Sequence, residues 1–476
     1  MRPSDRDIEQ ALIGWLPRQR WFAGKGREIA QVEIVSGTRL TGPGGPPGAE
    51  EPELRHTLVA VRQDGARDLY QLLLGFRHRL PDRLRYAEIL ALDGVHVYDA
   101  AHDPELTGVL LQCLAAEARV GPLSFHRVPG AQVETGLTSL ASTAEQSNTS
   151  LVYGEAYIYK MFRRIVPGVN PDLELNLALT EAGCRHIPRL YGWAEMRLTD
   201  LGDRGGDRPA TVGMLSEFLR TASDGWQLAT TSVRDLYGSP PEVSADQAGG
   251  DFAAEAERLG VATASVHRDL AEAFGAGQVP PRALREAAAR MEEQLVTACT
   301  DVPELTRYAE PIRAAYRDLA ELERPVPVQR IHGDYHLGQV MRTDRGWVLL
   351  DFEGEPARTL AERRAPAHPL RDVAGMLRSF EYAAWFLLSG PPGVHHRESD
   401  PTQWALLERR AREWADRNRD AFCRGYADGG GPDPGAHRVL LRAFELDKAV
   451  YEVRYEARNR PSWLHVPLSS LTRLTA

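Results

Sequence analysis

The segment Ile331–Val340, IHGDYHLGQV, sets His332 and His336 on either side of Asp334. Such a spacing suits a metal pair, a nucleophile relay, or the catalytic loop of a phosphotransferase. A zinc pair at i and i+4 belongs on a helix, as in HExxH. Gly333 and Gly338 weaken any helix here, and no third ligand of the right kind follows at short range. A phosphotransferase loop needs an aspartate that orients the accepting hydroxyl, a side-chain oxygen five residues on that reaches magnesium, and a second acid after the next strand. Asp334, Gln339 and Asp351 meet that pattern, with Gln where Asn is usual. Asp351-Phe352-Glu353 closes the apolar run Trp347–Leu350. Magnesium is hard and takes oxygen ligands, which suits this set and not imidazole. The bland reading, a polar turn ahead of a core strand, leaves all three positions to coincidence.

A kinase also needs a strand lysine for the α- and β-phosphates and a helix glutamate paired with it. Lys160 stands in AYIYKMF, and Glu174 in the helical segment after Asn170-Pro171-Asp172. Of the 57 basic residues only Lys25, Lys160 and Lys448 are lysines; all the rest are arginine. Where Lys persists against that bias, the expected requirement is a compact ammonium rather than a planar fork. No GxGxxG precedes Lys160. Instead Asn148-Thr149-Ser150 reads as a turn offering hydroxyls and amides to phosphate, a weak signal by itself. Val212–Leu219 reads as the strand and hinge that meet adenine through backbone at Glu217 and Phe218. Farther on, FELDKAVYEVRYEARNRP carries two stripes if helical. Leu446, Val450, Val453 and Ala457 form an apolar one. Lys448, Tyr451, Glu452 and Tyr455 form a second, at i, i+3, i+4 and i+7. Aromatic faces with flanking charges suit a sugar; a wet helix face with half-buried tyrosines is the alternative.

The elements that must position these groups follow from periodicity and turn residues. Asp5–Leu16 reads as a helix, His56–Arg62 and Leu69–Leu74 as strands, and LVYGEAYIYKMFRR as a hairpin about Gly154-Glu155. Asp224-Gly225-Trp226 opens a helical region, with helix-period segments at Phe252–Phe274, Arg282–Cys299, Leu305–Leu322, Val373–Leu388, Gln403–Tyr426 and Arg438–Asn459. Gly37–Glu53 reads as a loop, Thr199–Pro209 as a hairpin tip, and Gly238–Asp251, Gly390–Thr402 and Asp428–His437 as mobile loops.

Composition excludes several classes. The 476 residues carry a net charge of −9 with no basic stripe, against a nucleic-acid binder. Cys113, Cys184, Cys299 and Cys423 show no CxxC spacing, against a disulfide framework or zinc knuckle and in keeping with a reducing compartment. The first residues lack an apolar secretory core, and no apolar run approaches a membrane span. The expectation is a soluble cytoplasmic protein with no membrane or nucleic-acid partner, monomeric or weakly dimeric.

HGDYHLGQV, DFEGEPAR and LRDVAGMLRSF together resemble the aminoglycoside-phosphotransferase-like, eukaryotic-kinase-type small-molecule kinases. Within that group the chain resembles the bacterial maltokinases, through LPRQRWFAGKGRE, EQSNTSLVYG, FRRIVPGVNPDLEL, SDGW and ELDKAVYEVRYEARNRP as well. The resemblance implies an α+β, bilobal protein-kinase-like fold. It divides as a cap subdomain at residues 1–95, an ATP-binding lobe at 96–219 and a helical lobe at 220–476. It implies ATP and Mg2+ as cofactors and transfer of the γ-phosphate to the anomeric hydroxyl of maltose, for glycogen or α-glucan assembly. It makes Asp334 the catalytic base, Gln339 and Asp351 the magnesium ligands, Lys160 and Glu174 the residues that position ATP, and Lys448, Tyr451 and Tyr455 the sugar pocket. A sister group phosphorylates glucosamine, whose ammonium would want an added carboxylate; Glu452, Asp447 and Glu353 are the candidates. His332 is expected to brace the loop, and His336 either to touch substrate or to shape the turn. A kinase-like regulator without catalysis is the third reading, opposed by the presence of Asp334, Asp351 and Lys160 together.

Overall fold

The computed structural model describes residues 3–40, 52–142, 147–198, 209–356, 358–388 and 401–475. The expected Thr199–Pro209 tip lies outside the described residues up to Pro209, as do most of Gly37–Glu53 and Gly390–Thr402. The chain forms two compact units: Met1–Leu177 with Pro188–Arg220, and Ala178–Ile187 with Thr221–Ala476.

The first unit opens with helix α1 (Asp5–Trp15), capped by Ser4 and Asp7 in a reciprocal box. A first sheet comes next: β1 (Gln31–Leu40), β2 (Glu53–Gln63), β3 (Ala66–Arg77), β4 (Glu88–Leu92) and β5 (Val95–Asp99), in the order β1-β2-β3-β5-β4. Asp64-Gly65 and Asp93-Gly94 turn the two tight hairpins, and both residues of each pair have positive φ. That is the backbone a two-residue turn between twisted strands demands. The strand period of two sorts the side chains of β2 and β3 onto two cores. Val59, Val61, Tyr70, Leu72 and Leu74 pack under Ile8, Leu12 and Trp15 of α1. Leu54, Leu58, Leu69 and Leu73 pack on the other side.

That second core also takes side chains from later elements of the same unit. Helix α2 (Pro104–Ala115) gives it Leu110, Leu111 and Leu114. A seven-stranded antiparallel sheet gives it Phe125, Leu151, Tyr159, Met196 and Val212. Its strands are β6 (Arg119–Val120), β7 (Leu123–Arg127), β8 (Ser139–Ala141), β9 (Thr149–Tyr153), β10 (Tyr157–Met161), β12 (Leu190–Arg197) and β13 (Pro209–Glu217). The short β11 (Arg164–Ile165) pairs with β3 of the first sheet. The buried Gln71 amide donates to Phe162 O and Val212 O and accepts from His56, adding a polar tie within this core. The first sheet thus runs on to Asp99, past the 95/96 division expected from sequence. Helix α3 (Pro171–Glu181) follows β11.

The second unit is mostly helical. It holds α4 (Gly225–Gly238), α5 (Ala253–Phe274), α6 (Pro281–Asp301), α7 (Ala309–Ala320), α8 (Leu360–Arg364), α9 (Leu370–Phe386), α10 (Pro401–Asp428), α11 (Arg438–Asn459) and α12 (His465–Leu474). Two small sheets accompany them: β14 (Ser223–Asp224), β17 (Val340–Thr343) and β18 (Gly346–Leu349), and β15 (Gly277–Val279) with β16 (Val326–Val328). Phe252 meets Trp347, Phe380 and Trp414 with centroids 6.1–6.3 Å apart, a ring cluster that ties α5, α9 and α10 to β18. Arg438–Asn459 is helical as its periodicity requires, whereas Leu305–Leu322 splits into a 3-10 turn (Pro303–Tyr308) and α7. The segment Gly238–Asp251, expected as a mobile loop, receives contacts from α10. Arg410 donates to Leu236 O at 2.7 Å and Ser239 O at 2.8 Å, Glu413 takes the Ala245 amide, and Arg417 grips Asp251 at 2.7 Å. The Gly/Pro-rich and polar composition reads as loose because the partners lie far along the chain, on α10. Among the described residues no helix is long and apolar enough to cross a membrane.

Candidate active site

In the first unit, β10 presents Lys160 opposite Ser150 of β9 and Met214 of β13. The Lys160 ammonium lies 2.7 Å from Asp172 and over the Phe162 ring at 5.4 Å. Asp172 sits in the first turn of α3, and its other oxygen accepts from Asn176 at 2.8 Å. Asn170 caps the helix by accepting the Asp172 amide at 2.9 Å. Sequence reasoning missed Asp172 because Asn170-Pro171-Asp172 reads as a cap signature. Glu174, expected beside Lys160, is two residues farther along the same helix.

The expected phosphate turn is corrected. Thr149 and Ser150 begin strand β9 and are 6% and 1% exposed. The Thr149 hydroxyl accepts from Arg163 Nε at 2.7 Å, so it points into the core. Asn148 precedes the strand, 8% exposed, and donates to Ser147 Oγ. At the expected hinge the two backbone amides are paired within the unit. The Glu217 amide goes to Arg189 O at 2.8 Å and the Phe218 amide to Ala156 O at 3.0 Å. Pairing with neighbouring backbone satisfies these donors, as buried backbone requires.

In the second unit the IHGDYHLGQV segment is fixed from three directions. Asp372 of α9 is buried and accepts the His332 amide (2.7 Å), the Gly333 amide (2.9 Å) and His267 Nε2 (3.0 Å). Burial works to raise that carboxyl, and the His267 and Gly333 hydrogen bonds outweigh it, leaving its pKa below the usual range. His332 Nε2 bonds Leu350 O at 2.8 Å, and its Nδ1 faces the Asp334 amide at 3.4 Å. His336 Nδ1 accepts the Gly338 amide at 3.1 Å, so this imidazole shapes the turn, and burial lowers its pKa. Two glycines make the loop possible. Gly333 has φ +87°, and a Cβ on Gly375 of α9 would stand 2.6 Å from Tyr335 O.

Gln339 leaves a 3-10 turn just before β17, and Asp351 follows β18. Antiparallel pairing of those strands brings them together, with Gln339 Nε2 at 3.1 Å from Asp351 Oδ2. Asp351 has φ +61°, strained for a residue with a Cβ, and such strain clusters at working sites. The oxygens of Gln339 and Asp351 fit a hard divalent cation once the Gln339 amide turns its oxygen inward. Glu353 lies just beyond, its carbonyl taken by Arg363 at 3.2 Å.

Helix α11 supplies the rest. The Lys448 ammonium bonds Glu355 at 2.8 Å and stands 3.6 Å from Asp334 Oδ1. It also lies over the Tyr451 ring at 5.2 Å. Burial alone would lower its pKa; Glu355 and Asp334 more than reverse this. Burial likewise works to raise Glu355, and Lys448 and Arg358 bring it down to about 2. Tyr451 and Tyr455 are stacked at 6.3 Å and remain 44% and 43% exposed. Glu452 departs from the expected substrate stripe. Its carboxylate is buried against α9, held by Arg378 at 2.7 and 2.9 Å. Asp447 pairs with Arg371 at 3.0 Å. Glu355 was missed: in DFEGEPAR it reads as one more loop acid, and only the fold sets it against Lys448.

Residues 15–103 match the maltokinase N-terminal cap domain, and residues 233–438 the phosphotransferase enzyme family. A glucosamine kinase from Streptacidiphilus jiangxiensis is 30% identical over 341 residues, 69% of this chain and 72% of that protein. One from Mycolicibacterium smegmatis (strain ATCC 700084 / mc(2)155) is 31% identical over 344 residues, 70% of this chain and 78% of that protein. A solved glucosamine kinase in complex with glucosamine, ADP and inorganic phosphate has the same fold, with TM-score 0.64 and 23% identity over 100% of both chains.

Proposed function

The chain belongs to the phosphotransferase enzyme family, among members with a maltokinase-type cap, and it is a kinase acting on a hydroxyl; we propose that it transfers the γ-phosphate of ATP to maltose. The observation that carries the acceptor is Lys448, placed between Glu355 and Asp334 beside two stacked tyrosines. Glu355, Asp447 and Glu452 already hold cations: Lys448 with Arg358, Arg371, and Arg378; Glu353, the third acid weighed for an ammonium, stands 3.9 Å from Arg363. An amino sugar with its hydroxyl on Asp334 would bring an ammonium close to Lys448. At about 5 Å and an effective dielectric near 20, repulsion by Lys448 amounts to about 3 kcal/mol, of which attraction to Asp334 and Glu355 offsets a part. A neutral sugar meets no such penalty, and two exposed tyrosines one helical turn apart offer successive faces to two rings.

In this reading Lys160, held by Asp172, neutralises the α- and β-phosphates. Asp334 accepts the sugar hydroxyl's hydrogen bond and orients its oxygen in line with the γ-phosphorus. The oxygen–phosphorus bond to the sugar forms as the bond to ADP breaks, and the hydroxyl proton passes to Asp334. Gln339 and Asp351 would hold magnesium, whose charge, when bound, offsets that of the phosphates. Asp372 keeps the backbone amides of His332 and Gly333 in place, so Asp334 need not reorganise during reaction.

Glucosamine is the second reading, favoured by relatives of 30% and 31% identity that are glucosamine kinases. The test is ATP-dependent phosphorylation of maltose against glucosamine, with the product position read by NMR. Maltose is expected to have the higher kcat/KM by about tenfold, the factor set by the roughly 1.4 kcal/mol left of that repulsion. Glucosamine as the better substrate replaces maltose with the second reading, and turnover of neither overturns the acceptor class.

A further inference from the structure

Arg163 lies between the cap and the hairpin that carries Lys160, and it is fully buried. Its Nη2 donates to Asp99 at 2.6 Å, its Nε donates to the Thr149 hydroxyl at 2.7 Å, and its guanidinium lies 4.6 Å from the centre of the Trp21 ring. Trp21 and Asp99 both fall in the stretch that matches the maltokinase cap. Thr149 is the first residue of β9, opposite Met161 and next to Ser150, which stands opposite Lys160. The Arg163 carbonyl takes the Gln71 amide at 2.9 Å, so its backbone is tied to β3 as well.

Stability alone is a poor reason for this arrangement. Burying an Arg–Asp pair removes two ions from water, and apolar residues of like volume often serve stability as well. Among the described residues Arg163 Nη1 has no hydrogen-bond partner, a further cost for a buried donor. What the pair does supply is geometry. A planar fork fixes two partners at once, here one on the cap and one on the strand beside Lys160.

We propose that Asp99–Arg163–Thr149 is a positioning link through which the cap sets the register and height of β9, and with it the affinity for nucleotide. The link rests on the reading of the chain as an ATP-dependent kinase. It assigns the cap a task in nucleotide binding, exerted through Arg163 and Thr149.

The test uses the full-length protein with Thr149→Val, Thr149→Ser, Asp99→Asn and Arg163→Met. ADP affinity is measured by calorimetry, and KM for ATP, KM for sugar and kcat are measured separately. Thr149→Val keeps the strand shape and removes the acceptor. It is expected to raise KM for ATP and Kd for ADP about tenfold, with kcat and the sugar KM within twofold. Thr149→Ser keeps the hydroxyl and is expected to behave as wild type. Asp99→Asn is expected to shift nucleotide affinity in the same direction as Thr149→Val. An unchanged nucleotide affinity in Thr149→Val overturns the link, as does a variant that merely melts earlier with its KM values unchanged. A shift in Thr149→Val that Asp99→Asn does not share overturns the part played by the cap. Should Arg163→Met fail to fold, the two conservative variants still decide. Wild-type protein that binds no ADP overturns the nucleotide reading itself, and that measurement comes before any substitution.

Discussion

Glu355→Gln removes one charge from the Lys448 pair with almost no change of shape, and its effect can be worked from the contacts. Glu355 bonds Lys448 at 2.8 Å and Arg358 at 2.6 Å, with the Glu355 side chain 19% exposed. Its pKa falls from 4.5 to about 2. Two and a half pH units of displacement correspond to about 3 kcal/mol of stability at pH 7, and residual water access trims this to about 2–3 kcal/mol. Because the folded-state pKa lies below the unfolded one, this stabilisation is complete above about pH 4.5 and is lost as the pH falls toward 2. Urea midpoints of wild type and Glu355→Gln should therefore differ by about 2–3 kcal/mol at pH 7 and by about 1–2 kcal/mol at pH 3.5. Freed from Glu355, Lys448 would also swing toward Asp334, so kcat should fall while KM for ATP stays within about twofold. Equal stability of the two proteins at pH 7, or a gap that widens on acidification, would refute the assignment of the pair.

Asp334→Asn should lower kcat by about 10³-fold while ADP still binds, since proton acceptance contributes about 10²–10⁴-fold and nucleotide contacts lie elsewhere; near-normal turnover would remove Asp334 from the reaction. Asp172→Asn should raise KM for ATP at least tenfold with little change in the sugar KM, because the Lys160 ammonium loses the carboxylate at 2.7 Å. Steady-state kinetics with each substrate varied in turn would show it. Tyr451→Ala with Tyr455→Ala should raise the sugar KM by about tenfold, from two lost faces of about 0.5–1.5 kcal/mol each, and leave KM for ATP alone. Asp372→Asn should lower the unfolding free energy in urea by about 3 kcal/mol or more, since a buried acceptor of three donors is weakened; a neutral effect would contradict its role as the loop's anchor.

Much of the candidate site was legible because its chemistry is written in short spacings. The five residues from Asp334 to Gln339 and the strand before Asp351 are local signals, and β17 pairing β18 turns that spacing into a 3.1 Å contact. The strand lysine stood out against an arginine-biased chain. Illegible were the partners that come from far away. Asp172 was hidden inside a cap signature, and Glu355 meets Lys448 across 93 residues. Thr149 read as an open turn because nothing near it in sequence announces Arg163 as a buried donor. Glu452 lies on the tyrosine stripe by period, yet Arg378 draws it into the core, since a helix face divides by what packs on it and not by periodicity alone.

Periodicity and turn chemistry determined that a strand-rich part precedes a helix-rich part and that α11 runs Arg438–Asn459. These are local matters, set by backbone preference and the spacing of apolar residues. The tertiary structure alone decided which charges meet. Placing Lys448 beside Asp334, Asp372 under the His332 and Gly333 amides, and Arg163 between Asp99 and Thr149 each requires elements distant in the chain to close on one point. The energy of such a contact depends on burial and distance, and neither exists until the chain has folded.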